Sequence, residues 1–171
     1  MPQRLSSEDV SFLTAERAQT PAHSGTVQIL QAPEDGFDYD RLFTLIRERI
    51  AFVPRYRQRL RSVPVHVANP VWVDDDDFDL SYHVRRSALP RPGTDEQLAE
   101  LVARIRRRRL DRDRPLWEVY LVEGLEGDRL AILSKTHLAM LDGRAGNAIA
   151  QVMLDSSPQP RSSRPDTWSP H

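Results

Sequence analysis

The residues best placed to do chemistry lie together in Ser134-Lys135-Thr136-His137-Leu138-Ala139-Met140-Leu141-Asp142-Gly143. The run reads as a strand that ends at a histidine, followed by an Asp-Gly turn that opens a helix. Side chains at strand ends beside a turn are well placed to line a cleft. His137 in that position can act as a general base, taking a proton from a hydroxyl that attacks an activated carbonyl. The same residues also have a plain structural use. A histidine at a strand end is commonly packed or solvated. Asp142-Gly143 by itself makes a turn and a helix start, with Gly143 allowing a positive φ or a close backbone approach.

Other candidates carry less. Asp74-Asp75-Asp76-Asp77 could meet a hard cation, but it lacks the spaced oxygen ligands and the glycine of a calcium loop, and reads as a solvated strand exit. Arg106 to Arg109 spread around a helix end instead of forming one phosphate-binding patch. Arg55, Arg57, Arg59 and Arg61 alternate, so an extended chain would present them as one basic stripe toward anionic lipid. His23, His66 and His83 show no metal-ligand spacing, and His171 falls in the tail. Trp72 and Trp117 read as core residues.

Composition narrows the classes. In 171 residues, 24 basic side chains and 25 acidic ones leave a net charge of -1, which disfavours a nucleic-acid binder. All basic residues but Lys135 are arginine. There is no cysteine, so disulfides, thiolate nucleophiles and cysteine-held metals are excluded, and a reducing, cytoplasmic setting fits. No apolar run approaches the roughly 20 residues that span a bilayer, and the start of the chain lacks a signal peptide's apolar core.

The positioning elements follow from caps and periodicity. A short helix is expected over 6–13, with Ser6 or Ser7 as N-cap and Glu8 and Asp9 in its first turn. Residues 25–30 read as a strand. Asp38 caps a second helix whose apolar face is Leu42, Leu45, Ile46 and Ile50, ended by Pro54. Residues 71–73 form a short strand. Thr94 and Gln97 form a capping box ahead of the stripe Leu98, Leu101, Val102 and Ile105. A hairpin is expected from strands 117–122 and 129–136 across the turn 123–128. A helix over 144–154 follows. Residues 1–155 are then one α/β domain, and the Ser/Pro-rich stretch 156–171 a linker or tail.

The stretch from Lys135 to Gly146 resembles the H-H-x-x-x-D-G motif of the bacterial wax ester synthase/diacylglycerol acyltransferase family, within the CoA-dependent acyltransferase superfamily. Further segments resemble that family in order. They are Leu5-Ser6-Ser7-Glu8-Asp9-Val10-Ser11-Phe12, Val53-Pro54-Arg55-Tyr56-Arg57-Gln58-Arg59-Leu60, Pro70-Val71-Trp72-Val73-Asp74, Tyr82-His83-Val84-Arg85, Pro115-Leu116-Trp117-Glu118 and Trp168-Ser169-Pro170. Several matches in order are far more specific than one short pattern. The resemblance implies a mixed sheet with flanking helices, as in the N-terminal half of the CoA-dependent acyltransferase fold. It implies O-acyl transfer from acyl-CoA, a co-substrate and not a bound cofactor, to diacylglycerol or a long-chain alcohol. It also implies peripheral contact with a membrane or lipid bodies, and a structural role for Asp142, which pairs with an arginine in that superfamily.

The chain departs from the family pattern twice. His137 takes the first histidine position, and Leu138 takes the second, which is the family's general base. Neighbouring strand residues face opposite ways, so if Leu138 faces the channel His137 faces away, unless the strand breaks just there. General-base help is worth about 10²–10⁴ in rate, so impaired transfer is expected. Family members are also considerably longer, and their channel lies between two similar halves. A partner chain could supply the second half; the alternative is a non-catalytic truncated paralogue that acts as a lipid- or partner-binding module.

Overall fold

The structure, a computed structural model, describes residues 3–62, 68–141 and 166–170. Among the described residues, two sheets and four α-helices carry the fold. Strands β1 (Gln3–Arg4), β4 (Val71–Asp74) and β3 (Gln58–Arg61) make a three-stranded antiparallel sheet in the order β1-β4-β3. Strands β2 (His23–Gln31), β5 (Val84–Ala88), β6 (Trp117–Leu125) and β7 (Arg129–His137) make a mixed four-stranded sheet in the order β2-β7-β6-β5. Among the described strands, only β5 and β6 run parallel. This is the mixed α/β architecture the sequence implies.

Helix α1 (Ser7–Ala15) starts where Ser6 and Asp9 exchange capping hydrogen bonds, each 3.1 Å long. Asp38 caps helix α2 (Tyr39–Arg49) through the Arg41 amide. The short helix α3 (Leu80–His83) is capped by Asp79. Thr94 and Gln97 form the expected capping box at helix α4 (Asp95–Arg107).

The central strands β6 and β7 are covered on both faces, while the edge strand β2 leaves Val27, Ile29 and Leu30 exposed. Leu42, Ile46 and Ile50 at the second helix, with Tyr56 and Trp72, pack on Trp117, Val119, Leu121, Leu130 and Ile132. Leu98, Leu101 and Ile105 of α4 pack on Tyr120, Val122, Ala131 and Leu133 from the other side. A strand buried on both faces needs an almost unbroken apolar run, which is what β6 and the first half of β7 carry. Trp72 and Trp117 are core residues, 3% and 0% exposed.

Three sequence expectations change, and one strand goes beyond them. The arginine stripe does not form, because Pro54–Arg57 coils into a 3-10 turn and only Gln58–Arg61 is extended. Arg55 lies over Trp72, and Arg59 sits 3.4 Å from Asp75. Asp75 is no solvated loop residue: it is buried, and burial raises its pKa. The 117–122 strand runs on to Leu125, with an irregularity between Val122 and Leu125. Strand β5 was not foreseen, since Val84-Arg85-Arg86-Ser87-Ala88 has too few apolar residues to declare itself. Its arginines instead reach Glu118 at 3.6 Å and Glu123 at 3.4 Å on β6. The helix expected over 144–154 lies outside the described residues.

Gly93 shows how tightly α4 is seated. Its φ is +82°, and a Cβ there would stand 1.9 Å from the Gly124 carbonyl oxygen. Gly36 has a similar φ of +76° but open space around it. Gly93→Ala is therefore expected to cost about 3–5 kcal/mol, strain plus overpacking, and Gly36→Ala about 1 kcal/mol, strain alone. Urea midpoints at unchanged m-value measure both, and equal losses would refute the close packing.

Candidate active site

Strand β7 reaches the candidate site between its two neighbours. Its last residue, His137, pairs with His23 of β2, and its amide donates to the Leu116 carbonyl at 3.0 Å. The strand stops there. The Leu138 amide donates to the Ala22 carbonyl at 2.9 Å, and Leu138–Met140 forms a 3-10 turn closed by Leu141.

His137 caps that turn. Its Nδ1 accepts the Ala139 amide at 3.1 Å, and the ring is buried, at 1% exposure. Because Nδ1 is the acceptor, the neutral ring carries its proton on Nε2. Nε2 lies 3.8 Å from the Glu16 carboxylate and has no hydrogen-bond partner. The ring therefore has no lone pair left for a substrate hydroxyl. Desolvation pushes its pKa down to about 4, against the opposing pull of Glu16.

Glu16 joins α1 to this strand end. It accepts Arg112 Nη2 at 2.7 Å and the Ala22 amide at 3.3 Å, and Arg109 stands 3.6 Å away. Burial opposes its ionisation, but the hydrogen bonds from Arg112 and Ala22 outweigh that and hold the carboxyl below its usual range. Burial also lowers the pKa of His23.

Lys135 lies on the same face of β7, fully buried. Its ammonium donates to the carbonyls of Ile105, at 3.2 Å, and Arg108, closing the end of α4. Glu118 stands 3.8 Å away and accepts the Tyr120 hydroxyl at 2.9 Å. Burial pushes the Lys135 pKa down and the Tyr120 pKa up to about 12.

The opposite face is hydroxyl-rich. Thr26 and Ser134 share a 2.6 Å hydrogen bond, and with Ser24, Tyr56, Thr136 and Leu141 they line a cavity of about 10 Å³. That volume admits one water at most. A cleft of about 780 Å³ opens beside α1, with Val10, Leu13 and Leu60 as apolar walls and Arg59, Arg61 and Arg112 among its cations.

Of the residues singled out in the sequence, His137 and Leu138 thus stand side by side where strand becomes turn, with Leu138 half-buried. Asp142 and Gly143 lie outside the described residues. Glu16 and Glu118 were not anticipated as part of the site, and His23 was weighed only for metal-ligand spacing. Nothing in their spacing marks them, because sheet pairing brings His23 to His137 and Glu118 to Lys135, and the end of α1 brings Glu16 to His137, all from distant segments. Among the described residues no group of three metal-ligating side chains converges, and no helix is long and apolar enough to cross a membrane.

Residues 5–171 match the model of the wax ester synthase/diacylglycerol acyltransferase catalytic domain. The chain belongs to this family. A Mycobacterium tuberculosis protein named as a probable diacylglycerol O-acyltransferase is 48% identical over 170 residues, covering 99% of this chain and 63% of that protein. The solved wax ester synthase/diacylglycerol acyltransferase of Marinobacter aquaeolei superposes with a TM-score of 0.79 at 33% identity, over 95% of this chain and 39% of that one. The starter condensation domain of rhizomide synthetase shares the fold, with a TM-score of 0.67 at 12% identity. The chain thus spans less than two thirds of the length of these family relatives.

Buried neutral histidines tie stability to pH. His137 and His83 both have folded pKa values of about 4, below their ordinary 6.5, so the unfolded chain binds protons first. Stability should be full above about pH 6.5 and fall as pH drops toward 4, by on the order of 3 kcal/mol per histidine. His137→Asn, whose side-chain oxygen can accept the Ala139 amide in place of Nδ1, should remove about a third to a half of that slope in urea unfolding between pH 4.5 and 7.5, with His83 and His23 supplying the rest. An unchanged slope would mean that His137 is not buried in its neutral form.

Proposed function

We propose that this chain carries the N-terminal half of an acyl-CoA-dependent O-acyltransferase, shaped for transfer of a fatty acyl group to diacylglycerol or a long-chain alcohol, in which proton abstraction is impaired. In the intact reaction a histidine takes the hydroxyl proton as the oxygen attacks the thioester carbonyl. The tetrahedral intermediate then collapses and the CoA thiolate leaves. Family membership supports the reaction class. The observation that carries the impairment is the state of His137. Its Nδ1 is already bonded to the Ala139 amide, its Nε2–H faces the Glu16 side, and the neighbouring motif position is Leu138. An aliphatic side chain accepts no proton, so the motif offers no base.

A second reading is a non-catalytic module that binds a lipid or a partner chain. The cleft beside α1 favours it, since apolar walls with arginines among them suit an acyl chain that ends in an anionic group. On either reading, contact with a membrane surface or lipid body would be peripheral.

Release of CoA thiol from acyl-CoA, with diacylglycerol or hexadecanol as acceptor, separates the two. The natural chain should run near background. Leu138→His should raise transfer by at least about 10² if the scaffold is otherwise competent, the lower end of what a general base supplies. His137→Ala should leave the residual rate unchanged. Fast transfer by the natural chain that disappears in His137→Ala would overturn the impaired-base reading. No transfer by any form, with acyl-CoA still bound, would favour the module.

A further inference from the structure

Arg57 lies 7% exposed at the end of its 3-10 turn. A guanidinium stays charged at any working pH, so at this depth it requires a carboxylate. That carboxylate comes from far along the chain. Arg57 Nη1 donates to Asp166 Oδ1 at 2.8 Å and Nη2 donates to Oδ2, a bidentate pair. The Trp168 amide donates to Asp166 Oδ1 at 3.2 Å, which turns the indole back toward Arg57. The guanidinium carbon sits 4.9 Å from the Trp168 ring and 5.9 Å from the Phe78 ring, held between the two.

The rings continue inward from there. Trp168 meets Phe78 edge-on at 6.3 Å, Phe78 stacks on His83 at 5.3 Å, and His83 stacks on Trp117 at 4.7 Å. The His83 Nδ1 bonds the Trp117 carbonyl at 2.8 Å. Trp117 donates its indole N–H to the Tyr56 carbonyl, beside Arg57, and pairs with Thr136 across the β6–β7 ladder. One ring column thus runs from residue 168 to the strand end that carries His137.

We propose that residues 166–170 form a clasp, in which Asp166 and Trp168 dock on Arg57 and Phe78 and hold α3 and the ring column against the end of the four-stranded sheet. The clasp is independent of whether the chain transfers acyl groups. A Ser/Pro-rich flank would otherwise gain nothing from holding a half-buried tryptophan against a paired arginine.

Hydrogen–deuterium exchange on the full chain tests the clasp. In the natural chain the Trp168 amide should exchange about tenfold more slowly than in a free peptide of the same sequence, a modest local protection. Asp166→Ala and Trp168→Ala should each abolish that protection. Each should also speed exchange across residues 78–84 by about tenfold, as expected when a bidentate ion pair or a cation–π contact is lost. Arg57→Ala should do the same if it folds. Since Arg57 is buried, the two variants on the exposed side of the clasp decide the question alone. Free-peptide exchange at residues 166–170 in the natural chain would overturn the clasp. So would unchanged exchange at 78–84 in both variants.

Discussion

Strand β7 takes polar side chains into the interior at its C-terminal end, and each has to be satisfied by protein where water is excluded. Ser134 shares a hydrogen bond with Thr26, Lys135 closes the last carbonyls of α4, and His137 accepts the Ala139 amide. The rest of the site follows from this constraint. α4 must end where an ammonium can reach its carbonyls. The chain must turn immediately after His137 so that an amide can reach the ring. Glu16 must stand near that ring, with Arg112 to hold its charge.

Satisfying these groups and doing chemistry with them are opposed demands. A general base needs a free lone pair aimed at substrate, and His137 has committed its lone pair to a backbone amide. Its low pKa is a result of the same enclosure, since an imidazolium would be stripped of water there. A histidine at position 138 would sit one residue further, beyond the strand's last ladder pair, where Leu138 is half-buried and not enclosed. On the proposed reading, the chemical capacity of the motif turns on which of two adjacent residues carries the imidazole.

The family fold supplies a rigid frame around this point. Both faces of the central strands β6 and β7 are covered, by α2 with the small sheet on one side and α4 on the other. The strand end therefore has little freedom to rearrange, and a substitution at 137 or 138 acts through chemistry or local packing more than through a change of fold.

Much of the frame was legible in the sequence because it is written in short-range rules. Ser6, Asp38 and Thr94 each cap a helix by reaching an amide three residues on, and the Leu98, Leu101, Ile105 stripe declares α4 before any tertiary contact exists. The hairpin of β6 and β7 and the break at Leu138 from the family motif were equally visible. Tertiary structure alone decided the rest. Val84-Arg85-Arg86-Ser87-Ala88 becomes a strand because Glu118 and Glu123 wait opposite its arginines, and Asp75 is buried because Arg59 faces it. Glu16 and His23 meet His137, and Asp166 meets Arg57, across long stretches of chain. A cap is determined by neighbours along the backbone, whereas the partner of a buried charge is determined by which distant segment the packing of sheets and helices brings within reach.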